Sequence, residues 1–288
     1  MDIKREFRKS FPKRTLASHK GDYGRIFVLA GSVGLSGACY LTSMAALRSG
    51  AGLVTVGVPK SLAVPLARRF TEAMMFPLPQ TSRGTLSRTA YAPIHRFLDT
   101  QDVLAIGPGL SLNPQTQVVI RRTVLGSAKI MVIDADGLNA FKGRAQLFKK
   151  LRAPAVLTPH AGEFVRLFGG PVPKGDKVRI KRAAQVAKRY GIIMVLKGHR
   201  TVVASPRGEI YVNQTGNPGM ATGGAGDVLT GIIAALLAQK IEPFKAACFG
   251  VYLHGLAGDL AAREKGETSL IASDIIEFLP VAFKRQAV

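Results

Sequence analysis

A glycine-rich segment near residue 225 runs directly into an apolar stretch. It reads NPGMATGGAGD over residues 217–227, and VLTGIIAALLA follows it. Glycines at the start of a helix leave several backbone N–H groups free at the positive end of the helix dipole, where a phosphate group can bind. We therefore predict a phosphate cradle formed by Gly223, Gly224, Ala225 and Gly226.

Asp227 directly follows these glycines, inside the first turn of the predicted helix. The helix dipole and the free N–H groups are expected to hold its carboxylate ionised. An ionised carboxylate here can accept a proton from a hydroxyl group brought up against a phosphoryl group. The alternative is that Asp227 is only a favourable acid in a first turn, which is common in helices.

Three other polar segments follow predicted buried strands. In TPHAGE, His160 can hydrogen-bond a polar substrate, and Glu163 can hold Mg²⁺ through water or can serve only as a capping partner. The segment Lys197-Gly198-His199-Arg200-Thr201 can meet the ribose and phosphates of a nucleotide, or can be a charged hairpin turn. The segment DADGLN over residues 134–139 carries two carboxylates and an amide, and one of its acids can cap the next helix.

Two glycine-containing loops follow the first and third predicted strands. The first loop, GSVGLSGA over residues 31–38, has neither the GxGxxG spacing of a Rossmann fold nor the GxxxxGK[ST] spacing of a P-loop. The second, Gly107-Pro108-Gly109, allows the backbone to approach a ligand closely, although GPG is also an ordinary turn. In open α/β sheets, ligands bind beyond the carboxyl ends of the strands, where all these loops lie.

Short apolar, β-branched runs alternate with helical patterns, which predicts an α/β fold with a mostly parallel sheet and helices on both faces. The predicted strands are Arg25–Ala30, Leu53–Val58, Val103–Ile106, Ile130–Ile133, Ala155–Leu157 and Ile192–Leu196. The predicted helices cover residues 37–49, 60–69, 114–124, 161–168, 176–190, 226–238 and 244–263. Thr201–Ala204 and Glu209–Asn213 are predicted to form a hairpin at the sheet edge. We expect a basic arm or leading helix over residues 1–20 and one domain over residues 21–288.

The composition excludes several classes of protein. With 47% hydrophobic and 20% charged residues, the 288-residue chain can bury a sizeable core, so global disorder is excluded. No apolar stretch is long enough for a membrane span, and the basic N-terminal 25 residues lack the apolar core of a signal peptide. The only cysteines, Cys39 and Cys248, cannot form a disulfide framework. We expect a cytoplasmic protein.

The formal net charge is +22, and residues 142–200 carry 15 Lys and Arg residues against Glu163 and Asp176. Such a basic surface attracts polyanions, nucleotides and nucleic acids alike. The segment KVRIKRAAQVAKR over residues 177–189 is better interpreted as the solvated face of an amphipathic helix than as a nucleic-acid surface.

Together these motifs identify a family. The ordered segments GSVGLSGA, GPGL, DADGLNAF, TPHAGEF, VLKGHRTVV and NPGMATGGAGDVLTG resemble the ADP/ATP-dependent NAD(P)H-hydrate dehydratases of the ribokinase-like superfamily, from about Lys20 to Asp274. The resemblance implies a ribokinase-like three-layer sandwich. It also implies repair of damaged nicotinamide cofactor: the (6S) hydrate of NADH or NADPH (NADHX, NADPHX) is dehydrated at the expense of ADP or ATP, with release of AMP or ADP and phosphate.

The resemblance also implies roles for individual residues. By motif position, the hydrate-binding set is Ala38, Gly109, His160 and Asp227, with Asp227 as the catalytic acid/base. The adenine-nucleotide set is Lys197, Gly198, His199, Arg200, Thr201 and Gly226. Members of the family commonly require Mg²⁺ and form homotetramers. Many also carry an epimerase domain, which this sequence lacks, so conversion of the (6R) hydrate is expected to need a separate epimerase.

Two alternatives remain open at this stage. A small-molecule kinase of the same fold would release a stable phosphate ester of a vitamin-precursor alcohol. A basic nucleic-acid-binding protein would need aromatic residues for base stacking, and the chain has no Trp and no aromatic-rich strand motif, so we expect no specific nucleic acid and no membrane among its partners.

Overall fold

The computed structural model describes residues 2–11 and 14–287. Within them a nine-stranded sheet has the order β3-β2-β1-β4-β5-β6-β7-β8-β9. Neighbouring strands from β3 to β7 are parallel, whereas β8 and β9 are antiparallel to their neighbours. The strands are β1 (Arg25–Leu29), β2 (Leu53–Pro59), β3 (Met74–Leu78), β4 (Val103–Ile106), β5 (Ile130–Ile133), β6 (Ala155–Leu157), β7 (Ile193–Leu196), β8 (Val202–Ala204) and β9 (Ile210–Val212). The predicted edge hairpin is therefore present as β8 and β9.

Helices cover both faces of the sheet, because successive strand residues point to opposite sides. In β1, Ile26 and Val28 pack into one core, whereas Phe27 and Leu29 pack into the other. The first core is covered by α1 (Ile3–Ser10), α2 (Ser36–Arg48), α3 (Lys60–Ala67), α9 (Ala225–Ala238), α10 (Pro243–Lys265) and α11 (Ala272–Ala287). The second is covered by α4 (Tyr91–Leu98), α5 (Pro114–Gly126), α6 (Asp136–Asn139), α7 (Ala161–Phe168) and α8 (Asp176–Tyr190). The predicted three-layer α/β fold is confirmed.

The predicted basic arm contains a helix that joins the first core. Phe7 of α1 is 2% exposed, and its ring centroid lies 5.1 Å from that of Phe249 in α10. Glu6 of the same helix pairs with Lys245 at 2.6 Å. Met1, Pro12 and Lys13, which the arm also includes, lie outside the described residues. Helix α1 is thus tied to the domain by aromatic packing and an ion pair.

Helix α9 lies in the middle of the first layer and packs closely on α2. Every residue from Val228 to Ala238 is buried, in agreement with the uninterrupted apolar run. A Cβ atom on Gly231 would lie 2.1 Å from the Thr42 carbonyl oxygen, so this close approach of α9 to α2 requires glycine. The packing fixes the position of the N-terminus of α9. None of the helices that the structure describes is long and apolar enough to cross a membrane.

Candidate active site

The strand order changes direction between β1 and β4, which is the switch point at which open α/β sheets bind ligands. The loops after these strands are joined there. The Gly31 amide donates to the Pro108 carbonyl at 2.8 Å, and the Ser32 hydroxyl donates to the Gly109 carbonyl at 2.8 Å. A Cβ atom on Gly109 would lie 2.9 Å from the Cβ atom of Ala38. The predicted hydrate-binding residues Ala38 and Gly109 are therefore neighbours at this edge.

The predicted phosphate cradle forms the start of α9. Gly224 is the N-cap residue with a φ of 90°, a left-handed conformation that favours glycine. No side chain among the described residues caps this helix end. Ala225 is buried, whereas Gly224 and Gly226 are half-buried and Gly223 is exposed. The first amides of α9 therefore meet a space that a ligand oxygen can reach.

Asp227 is half-buried at this helix end, and the prediction that it is held ionised is wrong. Burial is the largest cause and, together with the nearby Asp134 carboxylate, it raises the pKa of Asp227 from 3.8 to about 7, although the Lys197 ammonium lowers it. The helix dipole favours the ionised form, but removal from water outweighs that effect here. A carboxyl group with a pKa near 7 is better suited to take up and release a proton at neutral pH than an ordinary aspartate.

A buried ion pair lies beside Asp227. The Nζ atom of Lys197, which directly follows β7, is 2.7 Å from Oδ1 of Asp134, which directly follows β5. The other oxygen of Asp134 accepts a hydrogen bond from the Thr230 hydroxyl of α9 at 2.9 Å. Burial alone would lower the pKa of Lys197, but the carboxylates of Asp134, Glu163 and Asp227 raise it, so Lys197 is charged. Three separate elements thus meet at one charged cluster.

The second acid of the DADGLN segment, Asp136, organises the loops instead of capping α6. Its carboxylate accepts hydrogen bonds from the Ser111 amide at 2.8 Å and from the Asn139 side chain at 3.1 Å. The N-cap residue of α6 is Ala135, which makes no side-chain capping bond, so the capping interpretation is wrong for this segment. Ala135 has a φ of 47°, which is uncommon for a residue other than glycine. The loops after β4 and β5 are therefore fixed to each other.

His160 and Glu163 form a reciprocal capping box at the start of α7. Nδ1 of His160 accepts a hydrogen bond from the Gly162 amide at 3.0 Å, and the Glu163 carboxylate accepts one from the His160 amide at 2.9 Å. The imidazole is 53% exposed, whereas the Glu163 side chain is 7% exposed. Glu163 therefore acts as a capping partner, and the Nε2 atom of His160 lies 3.6 Å from the Glu163 carboxylate.

The segment from Lys197 to Thr201 is a braced loop with its first side chain turned inward. Arg179 of α8 donates to the carbonyl oxygens of Leu196 at 3.0 Å and of Arg200 at 3.2 Å. Arg200 pairs with Asp176 at 2.6 Å, and the Thr201 hydroxyl donates to the Gly198 carbonyl at 2.9 Å. Gly198, His199 and Arg200 form the exposed surface of the loop.

The sequence model of the NAD(P)H-hydrate dehydratase family matches residues 26–281. The chain belongs to this family.

Individual relatives extend the match. The chain is 46% identical over 277 residues to the bifunctional NAD(P)H-hydrate repair enzyme of Moorella thermoacetica, covering 96% of this chain and 52% of that protein. It is 35% identical to the ADP-dependent (S)-NAD(P)H-hydrate dehydratase of Bacillus subtilis, covering 96% and 95%. The crystal structure of the B. subtilis ADP/ATP-dependent NAD(P)H-hydrate dehydratase, co-crystallised with ATP/Mg²⁺, superposes with a TM-score of 0.82 at 33% identity, covering 98% and 97%. The chain spans about half the length of the bifunctional relatives.

More distant structures show the fold alone. The hydroxyethylthiazole kinase from Pyrococcus horikoshii matches with a TM-score of 0.64 at 15% identity, and the ribokinase from Thermotoga maritima with 0.53 at 15%. The ribokinase-like fold predicted from the sequence is confirmed by these matches. They do not favour the small-molecule kinase alternative.

In this member of the dehydratase family, the predicted site residues lie at one edge of the sheet. Asp227, Gly226 and Lys197 meet around the start of α9, while Ala38 and Gly109 lie at the switch point. Three supporting residues were not assigned a role from the sequence, namely Asp134, Arg179 and Thr230. Thr230 stands three residues after Asp227 and so shares its face of α9, which is a usable signal; no local pattern marks Arg179.

Proposed function

We propose that this protein repairs hydrated nicotinamide cofactor. It would dehydrate the (6S) hydrate of NADH or NADPH at the expense of ADP or ATP, and release NAD(P)H, phosphate and AMP or ADP. The observation that carries the proposal is the position of Asp227, with a pKa of about 7, at the uncapped start of α9. The family match and the name of the B. subtilis relative support the same activity.

The chain's own groups account for the first step. The amides at the start of α9 would bind the nucleotide's terminal phosphate groups. Asp227 would accept the proton of the hydrate's C6 hydroxyl while the hydroxyl oxygen attacks the terminal phosphorus atom and the bond to the leaving nucleotide breaks. The resulting phosphate ester would then lose phosphate, with loss of a proton from the neighbouring ring carbon, and the nicotinamide double bond would re-form.

We further propose Mg²⁺ as the companion of the nucleotide. Among the described residues, no three His, Cys, Asp or Glu side chains form a cluster that could hold a metal ion, and the Glu163 carboxylate is engaged in capping. These residues do not build a metal site of their own. Mg²⁺ bound mainly through phosphate oxygens and water is consistent with its coordination preferences. We also propose that the protein is a cytoplasmic homotetramer. An epimerase activity outside these 288 residues would convert the (6R) hydrate into the (6S) hydrate.

The direct test is incubation with chemically prepared NADHX and either ADP or ATP. The expected result is the return of NADH absorbance with equimolar inorganic phosphate. A stable phosphate ester without NADH would instead identify a small-molecule kinase and contradict the proposal.

The pH dependence should report the proton affinity of Asp227. Because the base must be ionised to accept a proton, kcat/KM for NADHX is expected to rise with pH and to level off above about 7. The charged groups that set this pKa are Asp134, Asp136 and Glu163, which raise it, and Lys197, which lowers it. Steady-state rates between pH 5 and 9 test this; a profile already flat at pH 5 would contradict it.

The basic surface is expected to steer the anionic substrates. Rising ionic strength should lower kcat/KM while kcat stays nearly flat, because the screening length falls from about 10 Å at 0.1 M to about 3 Å at 1 M. Glutamine at four exposed positions of α8, Lys177, Lys181, Lys188 and Arg189, should reproduce the effect at low salt. Arg182 is left unchanged, because its guanidinium donates to the Pro171 and Gly169 carbonyls and so holds the loop before α8.

A matched control changes four exposed cations of the opposite layer, Lys4, Arg5, Lys9 and Arg68, to glutamine. Its kcat/KM should fall less than that of the α8 variant. A nucleic-acid surface predicts instead that the α8 variant keeps its kcat/KM but loses salt-sensitive retention on immobilised duplex DNA or RNA. If the two variants lose kcat/KM equally, steering by α8 is contradicted.

A further inference from the structure

Asp134 is a buried carboxylate to which the proposed first step gives no role. The residue is 1% exposed, and both of its carboxylate oxygens are engaged, one by Lys197 and the other by Thr230. Its backbone is fixed as well, because its amide donates to the Ile106 carbonyl at 3.1 Å and its carbonyl accepts from the Gly137 amide at 2.8 Å. A carboxylate held at both ends in this way can hold a flexible partner in place.

That partner is the ammonium group of Lys197. A Cβ atom on Gly226 would lie 3.1 Å from Lys197 Nζ and 3.6 Å from Asp134 Oδ2, so the pair lies directly against the second residue of α9. The Lys197 side chain is 19% exposed and therefore still reaches the space in front of the helix. A lysine ammonium is a compact point charge, and beside the first turn of a helix it is well placed to bind phosphate oxygens.

We propose that Asp134 is a positioning residue that holds the Lys197 ammonium against the start of α9, where it contacts the phosphoryl oxygens of the nucleotide, and keeps it from pairing with Asp227. The proposal rests on the proposed function, since it assigns the phosphoryl group to the same helix end. Asp134 itself contacts no reacting atom. It acts through Lys197.

Two physical arguments support this role. A free lysine side chain has many rotamers, so fixing its ammonium beforehand removes an entropic cost from nucleotide binding. Asp227 lies close enough for Lys197 to lower its pKa, so it would compete for the ammonium if Asp134 were neutral. A Lys197–Asp227 pair would remove both the phosphate contact and the base at once. Asp134 prevents this by offering a carboxylate within hydrogen-bond distance of the ammonium, with its other oxygen held by Thr230.

A double-mutant cycle tests the proposal. Asp134→Asn and Lys197→Met are each expected to lower kcat/KM by about 10²-fold, which is a typical cost of misplacing a catalytic group. The double variant should lose no more than the worse single variant, because both changes remove the same contact. Losses that multiply to about 10⁴-fold would show that Asp134 acts independently of Lys197 and would overturn the proposal.

Calorimetry with ADP gives a second readout that needs no hydrate. Each single variant should bind ADP about tenfold more weakly, and the double variant no more weakly than Lys197→Met. A wild-type protein that binds ADP but does not dehydrate NADHX would refute the proposed function, while the binding cycle would still decide the role of Asp134. Unchanged ADP affinity in both single variants would overturn the proposed role of Asp134.

Two further variants separate positioning from general stability. Glu6→Gln breaks an ion pair of similar length on α1, far from the start of α9, and should leave kcat/KM within about threefold of wild type. If Asp134→Asn fails to fold because its lysine is left buried without a counter-ion, the double variant carries no uncompensated charge and carries the test. It must then match Lys197→Met in ADP affinity; weaker binding than Lys197→Met would overturn the proposal.

Discussion

Replacing Asp227 by asparagine is expected to lower kcat for NADHX dehydration by about 10²- to 10⁴-fold, the usual contribution of a general acid–base group. Asparagine is nearly isosteric with aspartate but cannot accept the proton of the hydrate hydroxyl. The affinity for ADP should stay within about threefold of wild type, because the amides at the start of α9 are unchanged. Steady-state kinetics and calorimetry measure the two quantities separately.

The same variant should be more stable than wild type, which provides the control for correct folding. In the folded protein the pKa of Asp227 lies at about 7 rather than 3.8, so ionisation of this group costs folding free energy. The penalty is absent below about pH 3.8 and complete above about pH 7. The difference between the two pKa values corresponds to an upper value of roughly 4 kcal/mol, so a gain of about 2–4 kcal/mol in the free energy of unfolding is expected at pH 8 and none at pH 3.5.

Denaturant unfolding at both pH values measures this gain. A variant with near wild-type kcat would remove Asp227 from the mechanism. A loss of activity accompanied by lower stability at pH 8 would show that the substitution damages the fold, and would contradict the raised pKa of this carboxyl group.

Much of the fold follows from local patterns, because buried parallel strands are short apolar runs and ligand loops must follow them. The six predicted parallel strands are all present, with boundaries within one residue of those predicted. The glycine at the start of α9 also follows from local structure, since Gly224 adopts a positive φ and a Cβ atom there would lie 2.4 Å from a Leu41 side-chain carbon.

Apart from the four-residue helix α6, the helices and strands that sequence patterns missed contain proline or lie at the rim of the sheet. Strand β3 ends in Phe76-Pro77-Leu78, and proline argues against a strand except at a sheet edge, which is where β3 lies. Helices α3, α4 and α11 each contain proline, and of these only α3 was predicted. In α11 the cost of Pro280 is offset by packing, since Ile275, Leu279 and Ala282 are buried in the first core.

The charged cluster could not be predicted, because it depends on distances through space. Asp134 and Lys197 are 63 residues apart along the chain and meet only because β5, β6 and β7 are neighbours in the sheet. The raised pKa of Asp227 follows from burial together with the same proximity to Asp134, and no sequence pattern shows how far a side chain is removed from water. Sequence motifs identify the loops that follow the strands, but the order of the strands in the sheet determines which charged side chains lie close together.

The second large effect is expected at Gly226, where valine should weaken ADP binding by about 10- to 100-fold. Gly226 does not have a positive φ, so the effect arises from space and not from the backbone. Its Cβ atom would lie 3.1 Å from Lys197 Nζ, and the two further carbons of valine would occupy the volume in front of the helix where phosphate oxygens are expected. Calorimetry with ADP measures the loss.

A graded series distinguishes occupied space from a disturbed fold. Gly226→Ala adds only the Cβ atom, 3.1 Å from Lys197 Nζ, so it needs only a small shift of the ammonium and should cost less than Gly226→Val. Gly223→Val places the same side chain at an exposed position where a Cβ atom has no neighbour within 4 Å, and should also cost less. Unchanged ADP affinity in a folded Gly226→Val protein would show that the phosphates do not bind at the start of α9. Asp227 lies in the same first turn of α9 as Gly226. The same result would therefore also show that the reacting phosphoryl group is not bound next to Asp227.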